Sequence, residues 1–184
     1  MGTYMRTCAE KRTSEGWMLS EDAVFLLPSS HTTRDVPQFS PAPFCFQHYG
    51  MFSLFADIRN DSGCPALSVP RGLPEDISDD ALQHLAPEIL QQSPYYIGWT
   101  EVPLPETVAG RLSMVETESY GHSWLSAAEL LAFDYDRAFS CRDISPPQNI
   151  TFRAFLGRMY FIHLETLRVL NATHDMRLLF CFAG

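Results

Sequence analysis

The residues that could do chemistry concentrate in two short stretches, each leading towards a helix start. In Val69-Pro70-Arg71-Gly72-Leu73-Pro74-Glu75-Asp76-Ile77-Ser78, prolines stiffen the chain on both sides of Arg71, and Gly72 permits close approach or a positive φ. An Arg held this way offers a planar fork to a phosphate or carboxylate, or bridges to Glu75 or Asp76 nearby. Asp76 could accept from a ribose hydroxyl, as acidic groups do in dinucleotide sites. The second stretch is Tyr120-Gly121-His122-Ser123-Trp124. Neighbours in extended chain point to opposite faces, so His122 and Ser123 are no nucleophile–base dyad. Separately, His122 could serve as a base or phosphate donor and Ser123 as a hydroxyl contact. The structural alternative is a strand-to-helix turn in which His122 satisfies backbone groups.

Other candidates carry less. His163 lies on an apolar helical stripe and reads as a satisfied core histidine. His84 and Glu88 are four apart, but Pro87 breaks the helix that would align them. Glu116 with Glu118, and Asp134 with Asp136, could each hold a divalent cation, yet no His cluster accompanies either pair; no metal site and no cofactor are assigned. Trp17, Tyr95, Tyr96, Trp99 and Trp124 fall in polar or turn contexts where a purine could stack. There is no P-loop, no G-x-G-x-x-G after a strand and no H-E-x-x-H.

The elements that must position these groups fit one domain. At 184 residues and 46% hydrophobic, the chain can bury one good core. A net charge of −9 argues against bulk nucleic-acid binding. No apolar run is long enough to span a membrane and the N-terminus lacks a signal-peptide core, so a soluble intracellular protein is expected. The five scattered cysteines have no metal-ligand spacing and read as small core residues.

Periodicity predicts a hairpin within residues 1–27, turning through Thr13-Ser14-Glu15-Gly16. A helix follows over Tyr49 to Asn60, with Arg59 in its last turn. Ser78 is a plausible N-cap for a helix that kinks or ends at Pro87. Ser126-Ala127-Ala128-Glu129 is a capping box, and its helix runs through Phe133. The longest helix spans about Thr151 to Leu170. Met176 to Phe182 is apolar on both faces apart from Arg177, as a strand inside a sheet would be. Residues 28–43 and 92–118 read as surface loop or insertion, the latter with extended stretches at 95–99 and 112–115. The fold class is therefore α+β: an antiparallel or mixed sheet from the N-terminal hairpin and C-terminal strand, packed by three to four helices.

The helix Tyr49-Gly50-Met51-Phe52-Ser53-Leu54-Phe55-Ala56-Asp57-Ile58-Arg59-Asn60, the loop Pro70-Arg71-Gly72-Leu73-Pro74, and Gly121-His122-Ser123-Trp124-Leu125-Ser126-Ala127-Ala128-Glu129-Leu130-Leu131 resemble a family of tailed-phage accessory proteins. The N-terminal hairpin and a closing strand like Arg177-Leu178-Leu179-Phe180-Cys181-Phe182 share the likeness. Gln47-His48-Tyr49 departs from it, since relatives tend to show Arg-Asn-Tyr there. The resemblance implies a small protein acting on host physiology in the bacterial cytoplasm, where many such proteins counter immunity by binding or destroying a nucleotide signal. The leading expectation is an anti-defence protein that binds and sequesters such a signal, a cyclic oligonucleotide or an ADP-ribose type. Arg59, Arg71 and His122 would face phosphates. Asn60, Asp76 and Ser123 would meet ribose or base edges, Trp124 or Tyr49 would stack, and His48 would lie at the same site. The alternatives are a phosphodiesterase with catalytic His122, or a protein–protein inhibitor of a host factor. A homo-oligomer with its pocket at an interface is plausible.

Overall fold

The computed structural model describes residues 2–28, 36–90, 95–115 and 117–184, with backbone alone at 95–97. The fold is α+β and its sheet is antiparallel. Strand β1 (Tyr4–Thr13) turns through Ser14 and Glu15 into β2 (Gly16–Leu19). The C-terminal strand β10 (Met176–Ala183) pairs along most of β1, from Tyr4 opposite Ala183 to Lys11 opposite Met176. Strand β7 (Ser119–Ser126) lines the other side of β10, giving the order β2-β1-β10-β7. All eight residues of β10 are buried, Arg177 among them, as a strand apolar on both faces apart from that one residue requires.

Burial on both sides means two helical layers. Phe180, Phe182 and Leu178 face α1 (Tyr49–Ala56), α4 (Ala127–Ala132) and α5 (Phe152–Asn171). Leu179 and Cys181 face α2 (Asp79–Leu85), the 3-10 turn Pro87–Leu90 and α3 (Val108–Met114). Each buried Phe or Leu here contributes about 1.5–3 kcal/mol. Helix starts are locally encoded. Ser78, Thr107, Ser126 and Thr151 each accept an N–H from the first turn, and Ser126 with Glu129 completes the capping box. Helix α2 stops before Pro87, which cannot donate to it.

The structure differs from the sequence expectation at several points. Helix α1 ends at Ala56, because Asp57 turns left-handed at φ 58° and Arg59 does so again at φ 53°. Arg59 therefore lies beyond the helix and does not complement its dipole. Residues 112–114, read as extended, belong to α3; with it the described residues hold five α-helices. Among the described residues there are also three two-stranded ribbons: β3 (Phe25–Leu26) with β4 (Phe39–Ser40), β5 (Tyr95–Ile97) with β6 (Thr100–Val102), and β8 (Ala138–Cys141) with β9 (Gln148–Thr151). Helix α5 breaks at Gly157, at φ 72° and ψ 173°. Of the segments 28–43 and 92–118 expected as loop or insertion, residues 29–35, 92–94 and Glu116 lie outside the described residues.

Candidate functional site

The two loops singled out in the sequence meet. The Gly72 N–H donates to the His122 carbonyl and the Arg71 N–H to Ser123 Oγ, both at 3.0 Å. The Arg71 guanidinium forms a two-pronged bond with Glu129 (2.6 and 3.1 Å) and lies over the Trp124 ring, 5.3 Å from its centre. Glu129 is the capping-box residue of α4, so Arg71 ties the loop ahead of α2 to the first turn of α4. The Arg71 bond holds the Glu129 carboxyl down to about 2, against a raising effect of burial, with Ser126 assisting. Arg71 thus has a carboxylate partner, but neither Glu75 nor Asp76. Ser123 and Trp124 are taken up in the same interlock.

Asp76 belongs to a separate ion network on the sheet. The guanidinium of Arg177 is buried, with Glu10 Oε2 and Asp76 Oδ1 each at 2.7 Å and the Trp17 ring 4.1 Å away. Arg177 and Glu10 are cross-strand partners, and Glu10 Oε1 accepts from the Ser78 N–H at 2.7 Å. Partial burial works to raise the Asp76 carboxyl, and Arg177 outweighs it, leaving it below the usual carboxylate range. This network seats the entry to α2, which accounts for Asp76 without a ribose.

Four predicted residues gather around α1. His48 is its N-cap, Nδ1 accepting from the Met51 N–H at 3.1 Å; burial lowers its pKa. Tyr49 is half exposed, and its ring starts a ladder through Phe52 and Phe182 to Tyr120. Arg59 Nε donates to Thr3 Oγ1 at 2.8 Å, and Tyr120 Oη lies 3.2 Å from the same oxygen. Asn60 is spent within its loop, on Asp57, Ser62 and both backbone groups of Cys64.

His122 stands apart from all of these. It and Ser123 do face opposite ways, and its partner is a residue that periodicity hid. A bulge in the β7–β10 register between Phe180 and Phe182, with Gly121 at φ 61°, turns Ser119 and His122 to the same face. Ser119 Oγ and His122 Nε2 are 3.1 Å apart, and both residues are buried. Beside them are Cys181, whose Sγ is 3.7 Å from the Leu85 carbonyl, and Arg6, cross-strand from Cys181. Burial lowers the His122 pKa; Glu88 and the Leu85 carbonyl oppose this, and Arg6 adds to it. Burial also pushes the Cys181 thiol up to about 11. Glu88, on the 3-10 turn, keeps Oε2 buried without a hydrogen-bond partner among the described residues. Arg6 and Glu88 are only half-buried, and the half-exposed Tyr4 hydroxyl accepts from Arg6 at 3.4 Å. Neither Arg6 nor Ser119 has a sequence signal of its own, and Glu88 is legible only as a weak pair with His84 across Pro87. The strand pairing and the bulge create the cluster.

The remaining candidates resolve simply. His163 Nδ1 accepts from the Phe44 N–H at 2.7 Å, so Nε2 donates to the Leu26 carbonyl, also at 2.7 Å. The five cysteines are free, four of them buried. Trp99 is fully exposed, and the side chains of Tyr95 and Tyr96 lie outside the described residues. Among the described residues no helix is long and apolar enough to cross a membrane, and no three His, Cys, Asp or Glu gather as metal ligands. Comparison with protein-family models, curated proteins and solved structures gave no match.

Proposed function

We propose that this protein binds a small nucleotide-type ligand at the cluster of Arg6, Glu88, Ser119 and His122, and that it sequesters a nucleotide-derived immune signal during phage infection. The observation that carries the reading is the buried, unpartnered oxygen of Glu88 beside a guanidinium, an imidazole and a hydroxyl, on the sheet face that α2 and the 3-10 turn cover. A carboxylate oxygen left unpaired costs about 1–3 kcal/mol or more, and a ligand hydroxyl or amino group would recover it. Arg6 offers donors to a phosphate, His122 and Ser119 offer neutral polar contacts, and Tyr4 is exposed enough to stack on a base. A ring, hydroxyls and an anion together describe a nucleotide. The phage setting rests on the sequence resemblance alone.

The test is a melting screen against cyclic dinucleotides, cyclic trinucleotides and ADP-ribose derivatives, then heat denaturation and analysis of what is released. Stabilisation with intact ligand recovered supports sequestration; if no compound stabilises the protein, the reading is lost. One observation favours cleavage as a second reading: at 3.1 Å, His122 could take the Ser119 proton or activate a water. Turnover at substoichiometric protein, abolished in both Ser119→Ala and His122→Ala, would establish it in place of sequestration.

A further inference from the structure

A cavity of about 310 Å³ opens between the end of α4 and the outer face of α5, away from the His122 cluster. Its walls are Phe133, Tyr135 and Phe161, and the Tyr135 hydroxyl is already spent on the Leu130 carbonyl and Tyr160, both at 2.8 Å. Three carboxylates, Asp134, Asp136 and Glu165, reach the cavity against two guanidiniums. One of these, Arg153, lies 4.7 Å from the centre of the Phe161 ring. It also donates to Asp136 through Nε (2.7 Å) and Nη2 (3.3 Å). An aromatic face and a two-oxygen carboxylate are what an organic cation seeks, and the chain's own side chain fills the position. The other guanidinium, Arg168, is turned to Glu165 one turn earlier on α5, at 3.0 Å.

We infer that this cavity is a binding site for a small organic cation bearing a guanidinium or ammonium group, with Arg153 as its intramolecular competitor. Size and charge agree on the occupant. At roughly 30 Å³ per non-hydrogen atom the space holds about ten such atoms, the scale of an aliphatic diamine or an aminoalkylguanidine. The local excess of carboxylates at this cavity draws cations. A ligand cation would take Asp136 and the Phe161 face as Arg153 swings to solvent, with Asp134 left to accept from its other end.

Agmatine, putrescine and inorganic phosphate, each at matched ionic strength, test this by calorimetric titration of the full chain and two variants. Arg153 and Asp136 are exposed, so Arg153→Ala and Asp136→Asn should fold. Agmatine and putrescine should bind the native protein. Arg153→Ala should bind them about three-fold or more tightly once the competitor is gone, and Asp136→Asn about ten-fold less tightly. Phosphate binding that disappears in Arg153→Ala would overturn the inference and mark an anion site. Cation affinities that are absent, or equal in all three proteins, would overturn it as well.

Discussion

Arg71 shows how one side chain can look like a ligand contact and act as a fastener. Its fork closes on Glu129 and its plane covers Trp124, so a loop and a helix start are held by a single residue. Because the Glu129 pKa is depressed in the folded state, the stability it contributes is present above about 4.5 and lost as pH falls towards about 2. Arg71→Ala should therefore melt below the native protein at pH 7, with the gap closing as the pH is taken from 4.5 to 2; a gap constant with pH would contradict the pairing. Glu10→Ala is expected to be far more damaging. It leaves the buried Arg177 guanidinium with Asp76 as its one carboxylate and removes the acceptor for the Ser78 N–H, a loss of about 3 kcal/mol in denaturant unfolding. A loss within the surface range, below about 1 kcal/mol, would mean that Asp76 alone satisfies Arg177.

At the scale of elements, the β7 bulge is the decisive feature. Gly121 sits at φ 61°, and a Cβ there would lie 3.0 Å from the Phe182 ring. Gly121→Ala should cost about 1–2 kcal/mol from the left-handed backbone alone, and ligand binding should weaken with it as Ser119 and His122 lose their alignment. Unchanged binding in a folded Gly121→Ala protein would separate the bulge from the site. The same element explains what the sequence could reveal. Ser126 with Glu129, Ser78 and Pro87 announce helix ends through local hydrogen bonding, and the apolar run of β10 announces a central strand. Those elements follow from residues near one another in the chain. Arg71 with Glu129, Glu10 with Arg177, and Ser119 with His122 beside Arg6 depend on register and a bulge set by distant pairing. Periodicity carries no trace of them. Helix α1 ends early for a related reason: Asp57 and Arg59 turn left-handed where the apolar pattern runs on to Ile58.

For the molecule as a whole, two helical layers on one antiparallel sheet bury His122 and His163 and half-bury His48, all three in working roles. His48 caps α1, His122 meets Ser119, and His163 joins the Phe44 N–H to the Leu26 carbonyl. Burial lowers all three below their ordinary value of 6.5. The unfolded chain then binds more protons as the pH falls through 6.5, so stability should begin to drop there, above the range where carboxylates titrate. Denaturant midpoints flat from pH 7 to pH 5 would contradict this.

The central claim is that the Arg6, Glu88, Ser119 and His122 cluster holds a nucleotide-type ligand. It is tested most directly by melting the native protein, Arg6→Ala and Glu88→Gln with each member of the nucleotide panel. A ligand at about one hundred times its Kd contributes about 2.7 kcal/mol, which raises Tm by roughly 5–10 °C in a chain of this size. The account predicts such a rise for at least one compound with the native protein and its loss in both variants. No rise with any compound, or a rise that both variants retain, would contradict it.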